Sequence, residues 1–366
     1  MSLQQEIEEK ASKIFRDSYQ MSIGELLNLY RDGELDIHPE FQRVFRWNDF
    51  QKTKLIESIM LNIPIPPIFV SQNEKGIWDV VDGVQRLSTI FQFVGLLKNE
   101  EGKKIENLKL LPTDYLPSFD SVQWETENEK ESFTAEQRLF FKRSRIDVNI
   151  VKKESDPNTK YELFQRLNTG GSFLSDQEVR SCLMIMTNHD YYNFIVKLSK
   201  NPDFNNTVPI TDRKIDEQYL LELILRLLVP AVLDDNKINA YQEISDLLDK
   251  MTIKLCKENS NKGEIEEAFS KTFKLLNETE GEGVFKTFKD GRHSGPFLTA
   301  AYQGIAYGVF CNISNIGKLS NNKKWLSEKI SNFYKEDTFT KNMKPGTKSV
   351  PRFKDLSNFG KVFFRP

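Results

Sequence analysis

Five consecutive residues, Asp82-Gly83-Val84-Gln85-Arg86, bring together groups that phosphate chemistry requires. They follow the extended run Ile77 to Val81 and precede Leu87, Ile90, Phe91 and Val94, whose i, i+3, i+4, i+7 spacing marks a helix. A strand therefore breaks at Asp82-Gly83 into a helix. The first amides of a helix are unpaired and its dipole favours negative charge there. Gly83 lets a ligand approach the backbone, and Arg86 offers a planar fork to phosphate oxygens. Asp82 could take a divalent cation or a ribose hydroxyl. A plainer alternative uses the same residues: Asp82 as an N-cap with Gln85 closing a capping box, or Asp82 and Arg86 as an i, i+4 ion pair.

Other stretches carry the same two-sided reading. Phe41-Gln42-Arg43-Val44-Phe45-Arg46-Trp47 sets arginines among aromatics in a loop, which suits phosphate binding or simple packing. Asn168-Thr169-Gly170-Gly171 is a backbone nest for an anion or a helix C-cap glycine and turn. Lys341, Lys344, Lys348, Arg352, Lys354, Lys361 and Arg365 crowd the C-terminus with Asp355 as the acidic residue among them. That run is a solvated face or a contact to the DNA backbone, centred on Lys341, Lys344, Lys348 and Arg352. The sequence holds no Walker A loop, dinucleotide glycine fingerprint or zinc-finger spacing. His38, His189 and His293 sit in no context suited to an HNH nuclease or a serine or cysteine triad.

The elements around the pentapeptide must position it. Ser22-Ile23-Gly24-Glu25 reads as a capping box opening a helix that ends at Asp32-Gly33, followed by a short strand, Glu34 to Ile37. Asn48 caps the next helix, with Leu55, Ile56, Ile59 and Met60 as its apolar face. The proline-rich turn Asn62 to Pro67 stops it. Ile68 to Ser71 and Ile77 to Val81 are strands on either side of the turn Asn73 to Gly76. Residues from about 98 to 133 read as an insertion with Trp124 tucked down, and Arg145 to Lys152 as a strand returning to the sheet. Tyr161, Phe164 and Leu167 suggest a helix ending at Asn168, and Ser175-Asp176-Gln177-Glu178 a second capping box. From there the text is helical, with Tyr219, Leu220, Leu223, Ile224, Leu227 and Leu228 as a wide stripe. The expected fold is α+β: a small mixed α/β domain over residues 1–174, then a mainly α-helical domain over 175–366.

A net charge of -2 over 366 residues gives no global attraction to nucleic acid, so any such contact is a local patch. Cys182, Cys256 and Cys311 lack metal or redox spacing and read as buried, reduced thiols of a cytoplasmic protein. Met1 to Arg16 reads as an amphipathic helix, not a signal peptide. Tyr219 to Leu233, the longest apolar stretch, is too short and too charged to span a bilayer. A soluble chain without a membrane partner is expected.

Taken in order, the elements resemble a known superfamily. His38-Pro39-Glu40-Phe41-Gln42-Arg43, Leu55 to Ile59, Ile65 to Val70 and Trp78 to Arg86 follow the sequence of features in ParB/sulfiredoxin proteins. Members of that superfamily use a Gly-x-x-Arg turn after the corresponding strand on nucleotide phosphates. The wording resembles more specifically the N-terminal domain of GmrSD-type restriction systems and phosphorothioate-sensing defence proteins. That branch carries Asp-Gly-Gln-Gln-Arg and a downstream Phe-x-Arg-Leu-Asn-Thr-Gly-Gly, present here as Phe164 to Gly171. The resemblance spans roughly Ser22 to Cys182. It implies Asp82, Gln85 and Arg86 as catalytic residues. It further implies Gln42, Arg43, Gly83, Arg166, Asn168, Thr169, Gly170 and Gly171 as nucleotide-binding, with a nucleoside triphosphate and Mg2+ (at Asp82) as cofactors. Val84 stands where the family has glutamine, which touches hydrolysis more than binding. DNA, modified or unmodified, and a nuclease partner chain are the implied partners. The expected function is an NTP-hydrolysing component of a prokaryotic anti-phage defence or modification-dependent restriction system, gating DNA engagement. The alternatives are a ParB-like metal-dependent DNA nuclease and a non-catalytic DNA- or partner-binding module.

Overall fold

Ser22 ends one strand and caps the next helix. The computed structural model describes residues 2–11, 15–37, 47–73, 75–99, 101–152, 175–233, 241–258 and 261–366. They fall into two compact units, Met1–Phe173 and Leu174–Pro366.

Among the described residues of the first unit, one sheet holds β1 (Arg16–Ser22), β2 (Leu35–Asp36), β3 (Ile68–Gln72), β4 (Trp78–Asp82) and β5 (Arg145–Val151). Their order is β1-β5-β3-β4-β2. β5 runs antiparallel to β1 and parallel to β3, and β4 runs antiparallel to β3 and parallel to β2. The helices are α1 (Leu3–Ala11), α2 (Ile23–Asp32), α3 (Asp49–Met60), α4 (Val84–Val94) and α5 (Ala135–Arg143). Ser22 Oγ accepts from Glu25 N at 3.1 Å, and Gly33, at φ 76°, closes α2. Asn48 and Gln51 form a full capping box on α3. Ile56, Ile68, Val70, Leu87, Ile90 and Val148 meet in a core that leaves each no more than 1% exposed.

Residues 98–133 fold onto this unit. Phe93, Trp124, Phe133 and Phe141 form a buried edge-to-face cluster with centroids 5.0–5.7 Å apart. Leu111 N donates to Thr53 Oγ1 at 3.1 Å, and Thr113 donates its hydroxyl hydrogen bond to the buried carboxylate of Glu57. Burial pushes the Glu57 carboxyl up, but the bonds from Thr113 and Lys54 outweigh it and hold the group below its ordinary value.

One expectation is corrected here. The helix is described over Leu3–Ala11, but Arg16, which the sequence placed in it, begins the strand Arg16–Ser22. β1 lies at the sheet's edge with most side chains toward water, so it carries no apolar alternation for a sequence to show. α5 lies between the insertion and the returning strand, where no element was read from the sequence, and Phe141 is its one buried residue. Its capping box, Thr134 with Gln137, is the available signal.

The second unit is mainly helical. Its described helices are α6 (Asp176–Ser199), α7 (Pro202–Thr207), α8 (Asp212–Asp216), α9 (Tyr219–Leu228), α10 (Ile244–Glu258), α11 (Lys262–Glu280), α12 (Thr299–Ile316), α13 (Asn322–Phe333), α14 (Asp337–Asn342) and α15 (Ser349–Phe363). The Ser175 capping box with Glu178 opens α6 as read from the sequence. A hairpin of β6 (Lys286–Lys289) and β7 (Arg292–Phe297) interrupts the helical text. The two strands pair with each other, and their alternation is partial. α12 crosses α15 through Gly304, Gly308 and Gly360; a Cβ added at Gly308 or Gly360 would overlap a backbone oxygen of the opposite helix, and one at Gly304 would overlap the Phe333 ring. Cys182 and Cys256 are buried, but Cys311 is exposed, contrary to the expectation for all three thiols. Among the described residues no helix is long and apolar enough to cross a membrane.

Candidate functional site

β4 delivers Asp82 to the end of the sheet, opposite Phe69 of β3, where the β3–β4 register shifts. Gly83 follows at φ 98° and ψ 10° and is the N-cap of α4, with no side-chain cap bond. Its carbonyl accepts from Leu87 N at 2.9 Å, the first turn of the helix. Two constraints fix glycine here. The left-handed backbone disfavours any Cβ, and a Cβ would lie 2.9 Å from Ile68 Cγ1 and 3.4 Å from Arg86 Nη2. The chain thus turns sharply because β3 crowds it from below.

Asp82 lies one residue outside the cap position, so the capping-box reading of Asp82 and Gln85 is overturned. The i, i+4 pair is present: Arg86 Nη2 donates to Asp82 Oδ2 at 2.8 Å. Arg86 Nη1 also donates to Pro66 O at 2.5 Å and Pro67 O at 3.3 Å. The Arg86 side chain is 11% exposed and Asp82 35%. The guanidinium is therefore a strut binding the proline loop to the strand-to-helix turn. Among the described residues, its remaining N–H groups and the first amides of α4 are donors without a side-chain partner, a set that would suit an anion. Val84 packs against the core, and the main-chain oxygen of Gln85 accepts from Thr89 Oγ1 at 2.7 Å.

A triphosphate with Mg2+ can be weighed against these residues. The uncapped helix start and the half-exposed Asp82 carboxylate suit phosphate oxygens and a hard cation. Among the described residues no three His, Cys, Asp or Glu side chains converge. A cation at Asp82 would accordingly draw its other ligands from phosphate and water. Gln42, Arg43, Arg166, Asn168, Thr169, Gly170 and Gly171 lie outside the described residues. Lys341, Lys344 and Lys348 are exposed, on α14 and the turn leading to α15. Arg352 is half-buried and lines a cavity of the helical unit. The structure therefore separates Arg352 in environment from the three lysines grouped with it by sequence. Sequence reasoning passed over Pro66, Pro67 and Ile68 as site residues. The proline-rich turn was visible, but its tie to Arg86 spans 20 residues and has no local signature.

The fold and this turn define an α+β unit in which a strand runs into a helix whose start has no side-chain cap. Residues 23–185 match the family described as GmrSD restriction endonuclease, N-terminal domain. That match covers just under half of the chain, so it supports a GmrSD-type restriction relationship for that segment. Comparisons with curated proteins and with solved structures found no significant match.

Proposed function

We propose that the chain is a nucleotide-binding, NTP-hydrolysing component of a restriction-type defence system, whose nucleotide state gates DNA engagement. The observation carrying this reading is the uncapped start of α4 at Gly83, set beside Asp82, inside the segment matching the GmrSD family. Phosphates would meet the α4 amides, and Asp82 would hold Mg2+ or a ribose hydroxyl. Arg86 orders the turn and offers its remaining N–H groups to phosphate. A ParB/sulfiredoxin-like architecture and a separate nuclease chain belong to the same proposal.

The test is a screen of the purified chain with each NTP, with and without Mg2+, for binding and phosphate release, and with DNA for nicking. Magnesium-dependent turnover is expected. Arg86→Ala should weaken nucleotide binding by about 1.5–3 kcal/mol, the range for a lost bond to a charged group. Because Arg86 also braces Pro66 and Pro67, its unfolding midpoint is measured alongside. Arg86→Lys should rescue only in part, since an ammonium lacks the fork that reaches Asp82 and both carbonyls. Unchanged affinity and turnover in Arg86→Ala would sink the assignment. Nicking by the chain alone would favour the nuclease reading instead.

A further inference from the structure

The helical unit holds a cavity of about 360 Å³ lined by the first turn of α6 and by α9, α12 and α15, within the range of small-molecule sites. Gln303, on α12, is 3% exposed. Its Nε2 donates to Arg226 O at 3.1 Å and Ser357 Oγ at 2.7 Å, while its Oε1 is buried without a hydrogen-bond partner among the described residues. A buried carbonyl oxygen lacking a donor is costly, and here it belongs to a side chain on the wall of a cavity large enough to admit the donor. Arg352 lines the same space and makes no ion pair among the described residues.

The other charges are largely spent on one another. Arg226 Nε and Nη2 both lie 2.8 Å from Glu222 Oε1, and Glu222 Oε2 lies 3.6 Å from the fully buried Arg180. Glu217 is held by Arg213 at 2.8 Å. Asp176 sits in the first turn of α6, where the helix dipole favours it. Lys214 rests 3.9 Å from the ring centre of Tyr219. Tyr219 and Phe353 add aromatic surface to the lining. A cation outside these pairs, a buried acceptor seeking a donor and two aromatic rings in an otherwise mostly polar lining call for one ligand that combines an acid group with an N–H-bearing ring.

We propose that this cavity binds one nucleoside monophosphate unit, its phosphate on Arg352 and an N–H edge of its base on Gln303 Oε1. The site lies wholly in the second unit and does not depend on the Asp82 to Arg86 turn. The unit could be a free nucleotide or part of a nucleic-acid strand, since the recognised chemistry is the same.

Isothermal titration of the full chain with AMP, CMP, GMP and UMP tests this, with the matching nucleosides and inorganic phosphate as fragments. At least one monophosphate should bind at least tenfold more tightly than its nucleoside or phosphate alone. Arg352→Ala, a half-buried position without an ion pair among the described residues, should weaken that binding at least tenfold while leaving the unfolding midpoint unchanged. Competition by a short single-stranded oligonucleotide would assign the unit to a strand, and no competition to a free nucleotide. Absence of binding by all four overturns the proposal, as does phosphate binding equally well alone. Binding lost in Arg86→Ala but kept in Arg352→Ala also overturns it, while supporting the α4 turn as the nucleotide site.

Discussion

Gly83 and Arg86 do different work from what their types alone suggest. By type Gly83 is room for a ligand; in the fold it is room for Ile68, reinforced by a φ of 98°. Gly83→Ala should therefore cost about 1–3 kcal/mol, combining a disfavoured backbone with overpacking against β3. Denaturant unfolding monitored by circular dichroism measures this. No loss of stability would show that β3 yields readily and that the glycine is retained for another reason. By type Arg86 is a phosphate fork, with the pair to Asp82 as the alternative. The structure supplies the pair and adds two proline carbonyls, which no helix-spacing rule could name. Of the candidate nucleotide contacts, the turn itself was legible locally. The tertiary partners that shape it were not.

Two elements of the helical unit depend on close fits that can be tested. α12 and α15 approach so nearly at Gly304, Gly308 and Gly360 that a methyl group on any of them meets backbone or an aromatic ring. Gly360→Ala should destabilise the protein by about 1–3 kcal/mol or more, read as a fall in the denaturation midpoint at constant slope; a midpoint equal to wild type would show that the helices can separate freely. The β6–β7 hairpin is anchored by His293, whose Nε2 lies 3.3 Å from Glu280 Oε2 of α11, with Ser327 Oγ 2.5 Å from the other carboxylate oxygen. Burial pushes the His293 ring down, but the Glu280 carboxylate beside it and the bond to the Lys286 carbonyl outweigh this and hold it above its ordinary 6.5. Burial likewise raises Glu280, yet the nearby His293 ring and the bond from Ser327 leave it below 4.5. A raised histidine contributes stability that is full below 6.5 and lost as pH rises through its folded value. A lowered carboxyl contributes above 4.5 and fades as pH falls through its own. The clamp is thus strongest between about pH 4.5 and 6.5. His293→Gln should lower Tm more at pH 5.5 than at pH 8.5, and an equal deficit at both would exclude a charged clamp.

At the scale of the whole chain, a charge of -2 means that any contact with DNA would have to be made by a local patch. Lys341, Lys344 and Lys348 are exposed and close in sequence, which keeps them as candidates, whereas Arg352 faces a cavity. If the three lysines meet duplex DNA, replacing them together with alanine should weaken binding without regard to sequence. The slope of log K against log salt should also flatten by about 0.9 for each phosphate no longer neutralised. A salt titration of both proteins decides it, and parallel slopes would mark the lysines as a solvated face. The family match ends at residue 185, beyond the end of the first compact unit at Phe173, so it takes in the start of α6.

The sequence by itself determined the features that rest on neighbours along the chain. The caps at Ser22, Asn48 and Ser175 are hydrogen bonds spanning three residues, and the strand-to-helix break at Gly83 is a change of hydrophobic period. These survive translation into structure because the interacting groups are fixed by spacing alone. Only tertiary structure decided that Arg16–Ser22 is a strand, because an exposed edge strand is defined by its partner β5 and not by its own pattern. The same holds for the β6–β7 hairpin, for the strut from Arg86 to Pro66, and for the buried oxygen of Gln303. Each depends on groups brought together from distant stretches of chain, and the free energy of such contacts leaves no period in the sequence.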